Sequence, residues 1–448
     1  MANKLSNLKF VQTIKNIWKV QELRSRIGIT MLFIAIYRFG SFVVLPGVDA
    51  AKLAELSETE GNSTTGLMSL LDMFSGGAFT NASIFALGIM PYISASIVIQ
   101  LLGMAVPSFQ KMQREGESGR RKMNQYTRYL TLAILIPQAI AYLTSLQAIL
   151  PQGVGVNINY VSSTIVLAAG SMFILWLGER ITDKGIGNGV SIIIMVGIMS
   201  RLPKAFLEEF SLKMDTTAGN GGMVMLLFEI ILFMLVLCAG VALLRGTRKI
   251  PVQYARQSTG GTAVSGARQY LPLKVNSANV MPIIFAQAIM FIPMAIIGYD
   301  NNTPGSIGAL LSDHTTWLYN LIFALLIILF TYFYTAITIN PMQMADDMKR
   351  NNGFIPGIKP GKATAEYIDT VMSRITFPGA LFLAAIAVLP VFADMIGIQS
   401  EFASFFGGTS LLILVGVILD TLQQIESHLM MRHYDGLLSS GRIKGRTE

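Results

Sequence analysis

Apolar runs long enough to cross a lipid bilayer alternate along this chain with short polar segments. Ten such runs stand out: Ile27–Leu45, Ala82–Gly103, Tyr129–Leu150, Tyr160–Leu177, Val190–Leu207, Met223–Leu244, Ala278–Ile297, Trp317–Ile339, Ile375–Phe392 and Gly407–Gln423. Each is of the length expected of a membrane-spanning helix. One further stretch is too short to cross. Leu67 to Phe74 is apolar apart from Ser69 and Asp72, yet eight helical residues rise only ~12 Å against a hydrocarbon core of ~30 Å. Gly76-Gly77 then interrupts any helix, since glycine has the most conformational freedom to lose. The pattern predicts a discontinuous segment, a short piece that enters without crossing and then a full span from Ala82. Irregular backbone at membrane depth survives only where protein or a water-filled cavity surrounds it. A cavity is therefore expected here, with a short apolar helix sitting in it.

Charge placement orients the spans. Six of the seven charges in residues 1–26 are basic. Residues 106–128 hold Lys111, Arg114, Arg120, Arg121, Lys122 and Arg128 against two glutamates, and residues 245–276 hold six basic residues and no acid. The alternate loops are acidic or neutral: 46–80 has one Lys and five acids, and 298–316 has only Asp300 and Asp313. The positive-inside rule then puts both termini in the cytoplasm. Residues 201–222, with three charges of each sign, give no direction. Residues 4–22 suit a basic amphipathic helix or a plain basic flank of the first span. That span is expected to stay uncleaved, because no small-residue cleavage site follows it.

Composition agrees with a membrane protein: 52% hydrophobic and 13% charged, where a soluble chain carries roughly 25% charge. Candidate chemistry is sparse. Cys238 is the only cysteine, and the three histidines have no metal-ligand spacing, so neither an internal disulfide nor a metal or other cofactor is expected. Within the spans, apart from the end of span five that overlaps residues 201–222, only Arg38, Glu229 and Asp420 carry charge. They fall near span ends, which suits structural or snorkelling roles. A proton- or sodium-coupled secondary transporter, the rival reading, usually needs carboxylates at the midplane. A small-ion channel would need a charged or carbonyl filter. Polar residues in spans two and seven, Ser94, Ser96, Gln100, Asn279 and Gln287, avoid lipid by facing helices or water. They serve either as interhelical glue or as the lining of a seam that opens. Five spans before and five after about Gly222 would make the second half inverted relative to the first.

Six local sequences carry a resemblance: ASIFALGIMPYISASI (82–97), GESGRRKMNQYTRY (116–129), GERITDKGIGNGVSI (178–192), LPLKVNSANVMP (271–282), GFIPGIKPG (353–361) and FGGTSLLI (406–413). They resemble the SecY family in its bacterial form, in family order and nearly end to end. The resemblance implies an all-α membrane channel of ten helices in two inverted halves, 27–222 and 223–428. A cytoplasmic segment 1–26 precedes the halves and a cytoplasmic tail 429–448 follows them. It implies a pore ring at Ile89, Ile93, Val190, Ile194, Ile284 and Ile413, Val190 being one methylene smaller than the Ile usual there. The short helix within 65–76 corresponds to the family's plug, with Leu67, Met68, Leu71, Met73 and Phe74 packing under the ring. Spans two and three against seven and eight correspond to its lateral gate, with Ser94, Gln100, Asn279, Gln287 and Ile292 near the seam.

The implied activity is movement of unfolded polypeptides across the plasma membrane, or sideways into it, without bond chemistry by this chain. An apolar ring suits that work, since it dewets against ions yet makes no hydrogen bonds to a passing chain. The implied partners are SecE and SecG subunits, the SecA motor ATPase, the ribosome, signal peptides and nascent chains, and lipids. Loops 245–276 and 340–374 would dock the motor and ribosome, through Arg245, Arg248, Lys249, Arg256 and Lys359. Basic residues without acids suit ribosomal RNA phosphates. Lys359 stands where the family usually has Arg, which keeps the charge but loses the two-pronged donor.

Overall fold

The computed structural model describes residues 20–48, 75–149, 159–214, 222–254, 269–278, 280–297 and 316–439. The segment Leu67–Phe74, most of the basic N-terminal segment, Asn279, Arg256 and the end of the tail lie outside the described residues. Ten helices carry the ten predicted spans: α1 (Gln21–Gly40), α2 (Met90–Ala105), α4 (Glu117–Ile149), α5 (Tyr160–Lys184), α6 (Gly189–Met214), α7 (Gly222–Arg245), α8 (Met281–Ile297), α9 (Trp317–Thr338), α11 (Lys362–Met395) and α13 (Gly408–Ser439). Three short helices, α3 (Pro107–Arg114), α10 (Pro341–Arg350) and α12 (Ser400–Ala403), lie between them. Among the described residues, six helices are by themselves long and apolar enough to cross a membrane. Large apolar side chains stay on the outside of such helices, Val161 of α5 at 75% and Val224 of α7 at 80% exposure. A soluble protein could not leave such stripes bare.

Several helices outrun their apolar cores. α4 begins at Glu117, twelve residues before the lipid-suited part, and is supported there by an Arg121–Glu117 pair one turn apart. Such pairs stabilise solvated helix turns modestly. α6 continues to Met214, through residues expected to be loop. Span two differs in the opposite sense. The full span expected from Ala82 is not formed, because the helix starts only at Met90 and has 16 residues. Residues 76–89 instead run as successive turns. Gly76, Gly77, Ala82 and Gly88 all adopt positive φ there, and Pro91 in the first turn sets the start of α2.

The described chain divides into two compact units, one of Met1–Lys204 with Val417–Glu448, the other of Ala205–Gly416. In the first, Leu135, Ala139, Tyr142, Leu143 and Leu146 of α4 and Leu167 of α5 pack on Phe79, Ala82, Ala86 and Leu87 of the turn segment. The core is thus built around the irregular stretch. In the second, Ile283, Ala286 and Met290 of α8 pack with Tyr319, Phe323 and Ile327 of α9 and with Leu383 to Ala387 of α11.

The second unit also holds strands that the all-helical expectation lacked. β1 (Thr247–Tyr254), β2 (Gln269–Lys274) and β3 (Gly353–Phe354) form a sheet in the order β2-β1-β3, both pairs antiparallel. Thr247 pairs with Lys274, and Gln253 with Phe354. Ile250, Val252 and Leu273 are buried under the sheet against Met348 of α10 and Ile368 and Met372 of α11. The two long loops therefore share one small core.

Candidate channel site

The site opens at Ser75-Gly76, which follow the apolar segment 67–74 in sequence. α1 brings Tyr37 and Arg38 to it: the Tyr37 hydroxyl donates to the Ser75 carbonyl at 3.2 Å, and Arg38 Nη1 donates to the Gly76 carbonyl at 2.8 Å. The Ser200 hydroxyl of α6 lies 3.4 Å from the same Gly76 carbonyl. Arg38 also rests over the Phe42 ring, 5.1 Å from its centroid. A chain that leaves the helical pattern in a dry setting frees carbonyls that must find donors. Here the donors are side chains of α1, since the Ser200 hydroxyl sits closer to the Gly197 carbonyl of its own helix, at 2.7 Å.

Gly76 is needed twice over. Its φ is +66°, and a Cβ would meet the Gly197 backbone of α6 at 2.8 Å. Further along, the Tyr142 hydroxyl donates to the Phe79 carbonyl at 2.9 Å, with the two rings 4.7 Å apart. Backbone pairing fixes the segment against the end of α1: Leu45 N–H donates to Ala82 O and Ile84 N–H to Val43 O. Ala82, Ser83, Phe85, Ala86 and Leu87 are all buried. The sequence marked Arg38 only as an end-of-span charge. The contact joins positions 38 residues apart, which no local pattern reveals.

The ring candidates fall in the first two turns of four helices. Ile89 caps α2 and is buried, and Ile93, one turn on, is partly buried and donates its N–H to the Ile89 carbonyl. Val190 and Ile194 occupy successive turns of α6, Ile194 buried and Val190 half-buried, with a Val190 methyl against Gly178 of α5. The structure thus brings together the members of each of these pairs. Ile284 is half-buried in α8 and Ile413 buried in α13, both in the second compact unit. None of the six is flanked in its own turn by a charged residue.

Of the seam candidates, Ser94, Gln100 and Gln287 are half-buried. Gln100 donates to Ser96 within α2, at 3.4 Å, so its amide is engaged along its own helix. The side chain of Ile292, like all of Asn279, lies outside the described residues. Among the docking candidates, Arg245 ends α7, and Arg248 and Lys249 stand exposed on β1. Lys359 is exposed in a turn framed by Gly357 and Gly361, both at positive φ, and its carbonyl accepts from Thr364 at 2.9 Å. Its ammonium is left to the surroundings rather than to the fold.

Comparison with known proteins identifies the family. The family model described as SecY matches residues 83–422. The protein translocase subunit SecY of Thermotoga maritima is 41% identical over 443 residues, covering 97% of this chain and 99% of that protein. A solved SecY structure, in which the plug domain stabilises the closed translocation channel, superposes with a TM-score of 0.61 at 17% identity, covering 94% of this chain and 95% of that one. Sec61 from the canine ribosome–channel complex gives 0.59 at 15%, with the same coverage. By the extent of the family match and the near full-length identity, this chain belongs to the SecY family.

Proposed function

We propose that this chain conducts polypeptides through an apolar constriction formed by Ile89, Ile93, Val190, Ile194, Ile284 and Ile413. The chain is the central subunit of a protein-conducting channel in a membrane. The observation that carries the mechanism is the buried, non-helical stretch 75–89. Such backbone cannot face lipid, and it continues directly from the apolar segment 67–74 that we assign as plug. Its base is gripped through two carbonyls, while nothing in the segment's composition offers specific chemistry to a substrate.

In this reading the halves 27–222 and 223–428 open like a clamshell, and polypeptide leaves outward past the plug or sideways between spans two and seven. Ser94, Gln100, Asn279, Gln287 and Ile292 border that exit, where polar contacts worth ~0.6 kcal/mol each close a seam without locking it. The exposed Arg248 and Lys249 with Arg245, Arg256 and Lys359 meet the SecA motor and ribosomal RNA, and SecE and SecG complete the complex in the bacterial plasma membrane, with both termini cytoplasmic. The ribosome-bound state of a Sec61 neighbour supports the docking assignment.

Single-channel recording tests the ring. Ile89→Gly, Ile194→Gly and Ile413→Gly should each raise resting ion conductance, and silence in all three would remove the ring assignment. A disulfide between position 94 and one near 292 should block export only when oxidised. Crosslinking without effect on export would move the exit elsewhere.

A further inference from the structure

Glu229 is fully buried in the second turn of α7. Facing it from the end of α6 are Glu209 and Lys213, four residues apart and so on one helix face, at 2% and 6% exposure. Lys213 Nζ lies 3.1 Å from Glu229 Oε1 and 3.4 Å from Glu209 Oε1, and donates to the Gly397 carbonyl at 3.1 Å. The Gln399 N–H donates to Glu209 Oε2 at 2.9 Å. One cluster thus ties together the end of α6, the start of α7 and the turn that follows α11.

Its charges do not balance. Among the described residues, two buried carboxylates and one buried ammonium leave one negative charge, which costs several kcal/mol unless it is neutralised. Its hydrogen bonds do not balance either. With both acids ionised, Glu229 Oε1 and Oε2 and the Gln399 Oε1 lack a donor of normal geometry, the Lys213 contact being an ion pair by distance alone. Lys213 Nζ touches both carboxylates, so Glu209 and Glu229 crowd one cation from two sides, an arrangement that is repulsive until one of them carries a proton. Among the described residues the charged groups facing Glu229 are Glu209 and Lys213, both from α6. α7 has no other charge before Arg245, and the turn contributes only the Gly397 carbonyl and Gln399.

We propose that Glu209 and Glu229 hold one proton between them, making the cluster neutral and turning it into a proton-dependent clasp on α6, α7 and the 396–399 turn. The proton supplies the missing donor as well as the missing charge. Loss of the proton leaves two carboxylates competing for Lys213, and the clasp loosens. This site does not rest on the transport reading and uses none of the ring, plug or seam residues.

Infrared spectroscopy of the purified full-length chain in lipid nanodiscs tests it. A protonated-carboxyl carbonyl band should be present at neutral pH and absent from E229Q. Thermal stability of the wild type should fall as pH rises, because the folded state holds a proton that the unfolded chain has released. E229Q supplies an amide donor in the proton's place, so its stability should match the acid-side wild type and lose most of that pH slope. K213M, which removes the one cation that the described residues bring to the cluster, should melt well below either. Absence of the band in the wild type, an unchanged pH slope in E229Q, or recovery of high-pH stability by sodium chloride relative to choline chloride would each overturn the shared proton. The last result would assign the pocket to a metal cation.

Discussion

Two glycine pairs break the chain near the ends of spans, and the molecule secures them differently. At Gly76-Gly77 the freed carbonyls are met by Tyr37 and Arg38. At Gly407-Gly408 the work is done by rings: Phe406 is 5.5 Å from Phe233 and 5.2 Å from Phe402, which in turn reaches Phe206 at 6.0 Å. One hydroxyl, Ser410, adds a bond to the Ser404 carbonyl at 2.6 Å. Both places need glycine, since a Cβ at 407 would strike the Ile386 carbonyl at 2.3 Å. The difference lies in what happens when water arrives. Polar contacts exchange for water at a net cost of roughly 0.5–1.5 kcal/mol each, up to ~3 with a charge, whereas interlocked rings have no such substitute. The first break can release its grip, and the second is built to hold.

Substitutions order the two. Phe406→Ala removes a fully buried ring and should cost about 3–5 kcal/mol, read as a large fall in the melting temperature of the purified chain. Gly76→Ala meets both a positive φ and the Gly197 backbone, for roughly 2–4 kcal/mol together. It should also raise resting conductance if the plug is displaced with its base. Arg38→Met keeps the bulk and loses the charged donor, so about 1.5–3 kcal/mol is expected, with the conductance effect larger than the melting effect. Ser410→Ala should cost ~1 kcal/mol and leave conductance alone. An Arg38→Met chain that melts lower than Phe406→Ala would invert the comparison.

Each of the ten apolar runs contains a helix, although span two is helical only from Met90, because hydropathy reports where lipid must be met. It does not report where a helix stops. α4 and α6 continue into water or into protein on charged residues, and Glu209 and Lys213 were legible only as a balanced loop until their four-residue spacing was placed on a helix. The late start of α2 was partly legible, since Gly88 and Pro91 bracket it. The positive φ of Ala82 was not, since alanine carries no local signal for it. The ring positions came from resemblance and not from pattern, since an isoleucine facing a pore and one facing lipid look alike in a sequence. Strands β1 and β2 went unread because basic residues interrupt their alternation.

The sheet joins what the sequence separates. β3 lies next to Lys359 and β1 carries Arg248 and Lys249, with β1 bonded to both neighbours. A load placed on the turn at 355–361 is therefore shared, through β1, with the strand that follows α7. The described parts of the two loops share one sheet and one small core, so a push on one is expected to be felt in the other.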